Sequence, residues 1–270
     1  MFLAGAECPF TCSFCDLWRW TLEGPTPPGA LPAQLAQVLA HAPRPTPQRL
    51  KLYNASNFFD PRAVPPEDLP ALADLASPFG GVTVESHASL VGPPVLAFSA
   101  RIPGRLEVAI GLETIHPAAA AHLNKRMDLS RFDGAADFLG QHDIDLRVFV
   151  LLGAPYVTAD ESVEWTVRTA EYAAQRGAAA IALIPVRGGN GELERLAALG
   201  HFVPPHLRQL EDALDRCLGL AGERAVIAAD LWDVDRLPAC AECGPRRVER
   251  LRRMNLTGQG EPPVTCADCD

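Results

Sequence analysis

The sequence has no apolar run approaching the roughly 18 residues that a membrane span requires. Its first residues, Met1-Phe2-Leu3-Ala4-Gly5-Ala6, lack the basic flank and the apolar length of a signal peptide. Both absences point to the cytoplasm. There is no excess of positive charge either: 24 Lys and Arg stand against 33 Asp and Glu, a net of −9. The chain as a whole therefore carries no basic field for holding nucleic acid or an acidic membrane. Gly and Pro, at 21 and 25, stay below the low-complexity range, and no repeat has a solenoid period. Cysteine is absent between Cys15 and Cys217, and 8 cysteines in 270 residues are too few for a disulfide scaffold. What is there is crowded at the two ends. Cys8, Cys12 and Cys15 open the chain, and Cys240, Cys243, Cys266 and Cys269 close it. In a reducing compartment such clusters read as metal sites. Cys217 stands alone on the apolar side of a helical segment, a buried and inert thiol.

Short β-rich runs alternate with longer helical ones. Strands are expected over 2–6, 48–54, 81–85, 105–111, 145–152, 179–185 and 224–229. Helices are expected over 31–41, 67–76, 131–141, 160–176 and 205–219, with shorter pieces at 94–99, 117–123 and 192–199. Pro32, Pro66 and Pro205 sit at or near helix starts. This alternation predicts an α/β fold, a parallel sheet with helices outside, curled into a partial (β/α)6-type barrel. The Pro-rich stretches 25–32 and 43–47 read as rigid surface loops. Residues 1–230 make the core with its last strand. Residues 231–270 are polar, Arg-rich and Cys-bearing, and read as a small appended metal-binding module.

Strand side chains alternate between two faces. Leu50 and Leu52, Val82 and Val84, Leu106 and Val108, and Leu146 and Val148 belong under the helices. The other face then carries Lys51, Glu85, His87, Glu107 and Arg147. Charges inside a barrel hold a ligand or water, or pair with one another as Lys51, Glu107 and Arg147 can.

The decisive segment is Glu7-Cys8-Pro9-Phe10-Thr11-Cys12-Ser13-Phe14-Cys15, a Cys-x3-Cys-x-aromatic-Cys loop directly after a short apolar strand. Three thiolates on one loop can each hold one iron of a [4Fe-4S] cluster and leave the fourth iron open to a small molecule. Ferredoxin clusters use four Cys instead, and structural zinc wants four closed ligands. In motif, position and following α/β units, the chain resembles the radical S-adenosylmethionine superfamily. Within it, Lys51-Leu52-Tyr53-Asn54-Ala55-Ser56-Asn57-Phe58-Phe59-Asp60, Glu107-Val108-Ala109-Ile110-Gly111-Leu112-Glu113-Thr114 and Leu123-Asn124-Lys125-Arg126-Met127 resemble the branch that includes the radical subunit of archaeosine synthesis. The broader core is similar to that of elongator-type and methylthiotransferase enzymes.

The resemblance implies a partial barrel, a [4Fe-4S] cluster on Cys8, Cys12 and Cys15, and S-adenosylmethionine on the open iron. Reductive cleavage then gives a 5′-deoxyadenosyl radical that takes a hydrogen atom from a substrate. An electron donor such as flavodoxin or ferredoxin is implied as a partner. Asn54-Ala55-Ser56-Asn57 stands where the family binds the methionine amino group through a Gly-Gly-Glu-like turn, which makes Asn54 and Ser56 cofactor contacts; the Glu is absent, so backbone carbonyls and Ser56 take its place, unless the segment is a plain capped turn. Glu113 matches the ribose-contacting strand end, Phe14 the neighbourhood of the adenine, and Arg126 the partner of the methionine carboxylate. Glu85 would meet cofactor or substrate. The loop Arg187-Gly188-Gly189-Asn190-Gly191 is either a flexible turn or a backbone approach to ligand. Relatives of this branch carry a longer N-terminal segment, so a truncated N-terminus is one reading.

Cys240-Ala-Glu-Cys243 and Cys266-Ala-Asp-Cys269 are two Cys-x2-Cys knuckles. Zinc and an auxiliary iron-sulfur cluster both satisfy that spacing. Between them, Arg246, Arg250 and Arg253 share one helical face, which touches RNA phosphates, or is a solvated face, or forms ion pairs with an acidic barrel. Asp230 lines the barrel mouth or caps a turn. His116, His122, His142, His201 and His206 show no ligand spacing. The resulting expectation is a radical S-adenosylmethionine enzyme, acting on a nucleoside in tRNA or on a small molecule or peptide. The contrasting expectation is a non-enzymatic zinc or electron-transfer protein.

Overall fold

A computed structural model describes residues 1–41, 49–221 and 225–269. The expected loop at 43–47 lies outside them, as do the first residues of the expected strands 48–54 and 224–229. Strand and helix alternate as β1 (Phe2–Leu3), α1 (Ala30–His41), β2 (Arg49–Asn54), α2 (Leu69–Ala76), β3 (Gly81–Glu85), α3 (Pro93–Ser99) and β4 (Arg105–Glu113). They continue as α4 (Pro117–His122), α5 (Leu129–Gln141), β5 (Asp145–Leu152), α6 (Ser162–Gln175), β6 (Ala180–Pro185), α7 (Glu192–Ala198), α8 (Leu207–Ala221), β7 (Val226–Ala229) and α9 (Gly244–Thr257). The seven strands lie in chain order. The pairs β1–β2, β2–β3, β3–β4 and β6–β7 are parallel, and among the described residues β1 and β7 do not pair. This is the open parallel sheet expected of a partial barrel. No described helix is long and apolar enough to cross a membrane.

The chain divides into two compact units. The first holds Met1–Thr11, Cys15–Gly111 and Leu129–Arg147; the second holds Cys12–Phe14, Leu112–Asp128 and Val148–Asp270. In the first, Leu52 sits opposite Val84 and Val84 opposite Val108, all fully buried. The alternate face carries the expected charges. Thr83 Oγ1 donates to Glu107 Oε1 at 2.8 Å, and Arg147 Nε donates to the same oxygen at 2.8 Å. Glu107 is buried and paired, so this part of the lumen is an ion-pair network. Lys51 is exposed; burial of part of its stem and the Arg147 charge lower its pKa. The expected strand 2–6 shrinks to two residues because Gly5 approaches the chain closely. A Cβ there would lie 2.9 Å from both the Ala63 carbonyl and Thr26 Oγ1. Thr26 Oγ1 accepts from the Ala6 N–H at 2.8 Å and donates to Ala63 O at 2.7 Å, so it fixes the entry to the cysteine loop.

In the second unit Ile181 sits opposite Ile227 and Leu183 opposite Ala229. Gly153 adopts φ +74° with the Pro205 ring 2.7 Å from where a Cβ would be, and its N–H donates to Ser162 Oγ at the start of α6 (2.8 Å). Helix α9 buries Leu251 and Met254. Its Asn255 side chain brackets Ala229 of β7, donating to the carbonyl and accepting from the N–H at 2.8 Å each.

Candidate metal centre and cofactor site

The β2 strand ends at Asn54, which is 1% exposed. Among the described residues neither its Oδ1 nor its Nδ2 has a hydrogen-bond partner, and the same holds for Ser56 Oγ. The Ser56 N–H folds back onto the Asn54 carbonyl, which makes the turn tight. A buried amide without partners costs about 1–3 kcal/mol, and its retention calls for an explanation such as a ligand. A capping role does not account for it, because capping side chains are hydrogen-bonded. The turn is anchored to the end of β3, where the Phe58 N–H donates to Glu85 O at 2.8 Å. Glu85 itself is half-buried.

The same turn reaches the first cysteine. Asn57 is buried; its Oδ1 accepts from the His87 N–H at 2.8 Å and its Nδ2 donates to Cys8 Sγ at 3.3 Å. His87 stacks on Phe10 with ring centroids 4.0 Å apart. An amide donor directed at sulfur suits a thiolate that ligates a metal. Asn57 entered the sequence reading only as part of a quoted segment; nothing in its local pattern announced the long-range contact to Cys8.

Cys8 and Cys15 belong to the first unit and Cys12 to the second; all three are half-buried, and none forms a disulfide. In the second unit the Ser13 N–H donates to Leu123 O at 3.0 Å, and Asn190 Nδ2 donates to Ser13 O at 2.8 Å. Asn190 Oδ1 in turn accepts from the Leu193 N–H (2.8 Å), and Glu194 accepts from the Gly189 and Gly191 N–H groups. The loop 187–191 is thus a tied helix cap that holds the cysteine segment. Phe14 packs against the cluster of Leu123, Leu151, Val186, Leu193, Leu196 and Phe202.

Glu113 ends β4 with φ +68°, buried, and pairs with Lys125 Nζ at 2.5 Å. The Lys125 ammonium lies 6.0 Å from the Phe14 ring centroid. A left-handed backbone at a non-glycine residue costs about 1–3 kcal/mol and concentrates at ligand clamps and active sites. Asn124 and Arg126 are also left-handed, at φ +56° and +57°. Together they turn Lys125 inward and leave Arg126 exposed. Glu113, Lys125 and Phe14 therefore come together, with Arg126 on the surface beside them. Asp230 accepts from the Trp232 N–H at 3.0 Å and pairs with Arg187 at 3.3 Å, which matches the turn-capping reading. His116 caps α4, its Nδ1 accepting from the Ala119 N–H at 3.0 Å.

In the tail, the four ligand atoms of Cys240, Cys243, Cys266 and Cys269 lie within 4.8 Å of one another. Backbone N–H groups of Cys243 and Glu242 point at the Cys240 sulfur and bring its pKa down to about 7. The arginine face takes the ion-pair alternative. Arg250 is 2% exposed; it pairs with Asp215 of α8 at 2.8 Å and donates to the Glu261 and Pro262 carbonyls. Arg253 pairs with Glu261 at 2.7 Å; Arg246 is exposed, donates to Thr265 O at 3.4 Å and among the described residues forms no ion pair. Burial pushes the Cys217 thiol up to about 12, in keeping with an inert core residue.

No protein-family model matches the chain, and no curated protein matches it. Solved structures do. The Elp3 of the archaeon Methanocaldococcus infernus, with an N-terminal deletion, is 11% identical with a TM-score of 0.55 over 84% of this chain and 58% of its own. Coproporphyrinogen III oxidase (HemN) from Escherichia coli, a radical SAM enzyme, is 14% identical with a TM-score of 0.53, over 83% of this chain and 52% of its own. A radical SAM methyltransferase from Sphaerobacter thermophilus is 18% identical with a TM-score of 0.56, over 84% and 64%. The chain has the fold of radical SAM enzymes and spans between half and two thirds of the length of these three.

Proposed function

We propose that this chain is a radical S-adenosylmethionine enzyme in which Cys8, Cys12 and Cys15 hold a [4Fe-4S] cluster. When bound, the cluster and S-adenosylmethionine supply a one-electron cleavage that yields a hydrogen-abstracting 5′-deoxyadenosyl radical. The chain's own residues bind and orient. Three thiolates leave one iron without a protein ligand. Asn57 fixes the Cys8 sulfur through its amide. Asn54 and Ser56 take the methionine amino group with side-chain atoms that lack partners among the described residues. Glu113, paired with Lys125, accepts the ribose hydroxyls, and Phe14 lies beside the adenine. Arg126, exposed beside the Glu113–Lys125 pair, takes the methionine carboxylate. Glu85 faces cofactor or substrate. Flavodoxin or ferredoxin supplies the electron.

The observation that carries this reading is the partnerless amide of Asn54 in the turn after β2. It stands in a chain whose fold is that of radical SAM enzymes and whose first strand leads into the three-cysteine loop. Of the substrate classes, the buried ion pairing of Arg250 favours a small molecule or peptide over tRNA, because that charge is not available to phosphates. Anaerobic reconstitution with iron and sulfide, then reductant and S-adenosylmethionine, tests the reading. 5′-Deoxyadenosine from wild type and none from Cys12→Ala supports it. No deoxyadenosine from a protein loaded with four irons overturns it in favour of a non-enzymatic metal protein.

A further inference from the structure

The sulfurs of the tail are too close together for a second cluster. Cys240 Sγ and Cys266 Sγ lie 3.9 Å apart, Cys243 Sγ and Cys269 Sγ 3.5 Å, and all four within 4.8 Å. Four thiolates around one ion with Zn–S of about 2.3 Å form a tetrahedron with edges of about 3.8 Å. A four-iron cluster puts each thiolate on a different iron, so the sulfurs are held apart by the width of the cluster itself. Each of the two close pairs takes one sulfur from each knuckle, so one ion would join both.

A divalent ion with four thiolates leaves a formal charge of about −2, which needs compensation where solvent is excluded. Cys243 and Cys266 are buried. Arg247, 5% exposed, meets that need: Nε donates to Cys243 Sγ at 3.1 Å and Nη2 reaches Cys269 Sγ at 3.9 Å. Its third nitrogen, Nη1, donates to Glu211 of α8 at 2.6 Å. Backbone N–H groups of Glu242 and Cys243 on Cys240, and of Asp268 on Cys266, add donors to the sulfurs. Arg247 is not among the i, i+4, i+7 arginines Arg246, Arg250 and Arg253, and its burial rests on tertiary contacts that no local pattern records.

We propose that Cys240, Cys243, Cys266 and Cys269 hold one Zn2+ in a closed, redox-inactive site, and that Arg247 is the positioning residue that neutralises two of the sulfurs and ties the metal to α8. The site is a staple for the second unit rather than an electron relay. Zn2+ has no accessible redox couple, and four protein ligands leave no open position. The inference is independent of the cluster on the N-terminal cysteines.

Metal and sulfide analysis of the full chain tests it, on anaerobically reconstituted wild type, Cys12→Ala, Cys266→Ala and Arg247→Met. One zinc per chain in wild type and in Cys12→Ala, and none in Cys266→Ala, is expected. Because Cys266→Ala can fail to fold, Co2+ loaded into wild type provides a second readout, and the ligand-field bands of a four-thiolate tetrahedral centre are expected. Arg247→Met should keep the zinc but lose it to a chromogenic chelator at roughly tenfold lower concentration than wild type, with Arg247→Lys in between. About four further irons with sulfide in wild type that disappear in Cys266→Ala would overturn the single-ion site. Chelator resistance unchanged in Arg247→Met would overturn the role of Arg247. Loss of the N-terminal iron in Cys12→Ala with zinc intact separates this result from that of the proposed function.

Discussion

Replacing Asn54 by Leu separates a ligand-binding amide from a structural one. Leu has the shape of Asn with two methyls in place of Oδ1 and Nδ2, so it removes both polar atoms without opening a cavity. If Asn54 were part of the fold's hydrogen bonding, the change would destabilise the protein. Here the side chain is 1% exposed and neither atom has a partner. Its removal relieves a desolvation cost of about 1–3 kcal/mol. At about 2 kcal/mol, Tm of the ligand-free protein should rise by about 4–8 °C. The same change deletes one or two hydrogen bonds to the cofactor. Affinity for S-adenosylmethionine should fall at least ~10-fold, the equivalent of about 1.4 kcal/mol. Thermal denaturation of the cluster-loaded, ligand-free protein and calorimetric titration with S-adenosylmethionine, both anaerobic, measure the two effects. A lowered Tm with unchanged affinity refutes the reasoning, since it would mean that the amide serves the fold alone.

Three further outcomes follow from the geometry. Arg147→Met strands the buried Glu107 carboxylate and should cost about 3 kcal/mol, whereas Arg105→Met, at an exposed pair with Asp145, should cost less than about 1 kcal/mol by thermal or urea denaturation. The double change Glu107→Met/Arg147→Met should recover most of the Arg147→Met loss. Lys51 has its pKa lowered from 10.5, first by burial and then by Arg147. The unfolded chain binds the proton more tightly, so stability should rise with pH from the lowered value up to about 10.5 and flatten beyond it; Lys51→Met should lack that rise in a pH series. Cys217, with its thiol raised to about 12, should resist iodoacetamide at pH 8 in the native protein and react only after denaturation.

Strands β3 and β5 match the sequence pattern to the residue: the buried positions of β5 alternate along its first six residues, and in β3 the short run Gly81–Val84 is buried on both faces. The first strand does not, because the close approach of Gly5 to Thr26 and Ala63 is a tertiary contact that no local pattern records. Helix α9 shows in the sequence only as an arginine face, without bounds, for a different reason. Its inner face includes Arg247 and Arg250, which are buried by ion pairs with Glu211 and Asp215 and carry no apolar signal. In the candidate site the three-cysteine loop stands out by its spacing, and Asn54 and Ser56 are singled out by the resemblance, which places their segment after β2. Lys125 was not, because a Lys in a polar loop reads as solvated. Its inward turn depends on the left-handed backbone at Asn124 and Arg126.

The most direct test of the central claim is electron paramagnetic resonance of the dithionite-reduced, reconstituted protein, before and after one equivalent of S-adenosylmethionine. A [4Fe-4S]+ signal that changes on addition, and that is absent from Cys12→Ala, is the expected result. A signal indifferent to S-adenosylmethionine, or one that survives in Cys12→Ala, would contradict an open iron on Cys8, Cys12 and Cys15.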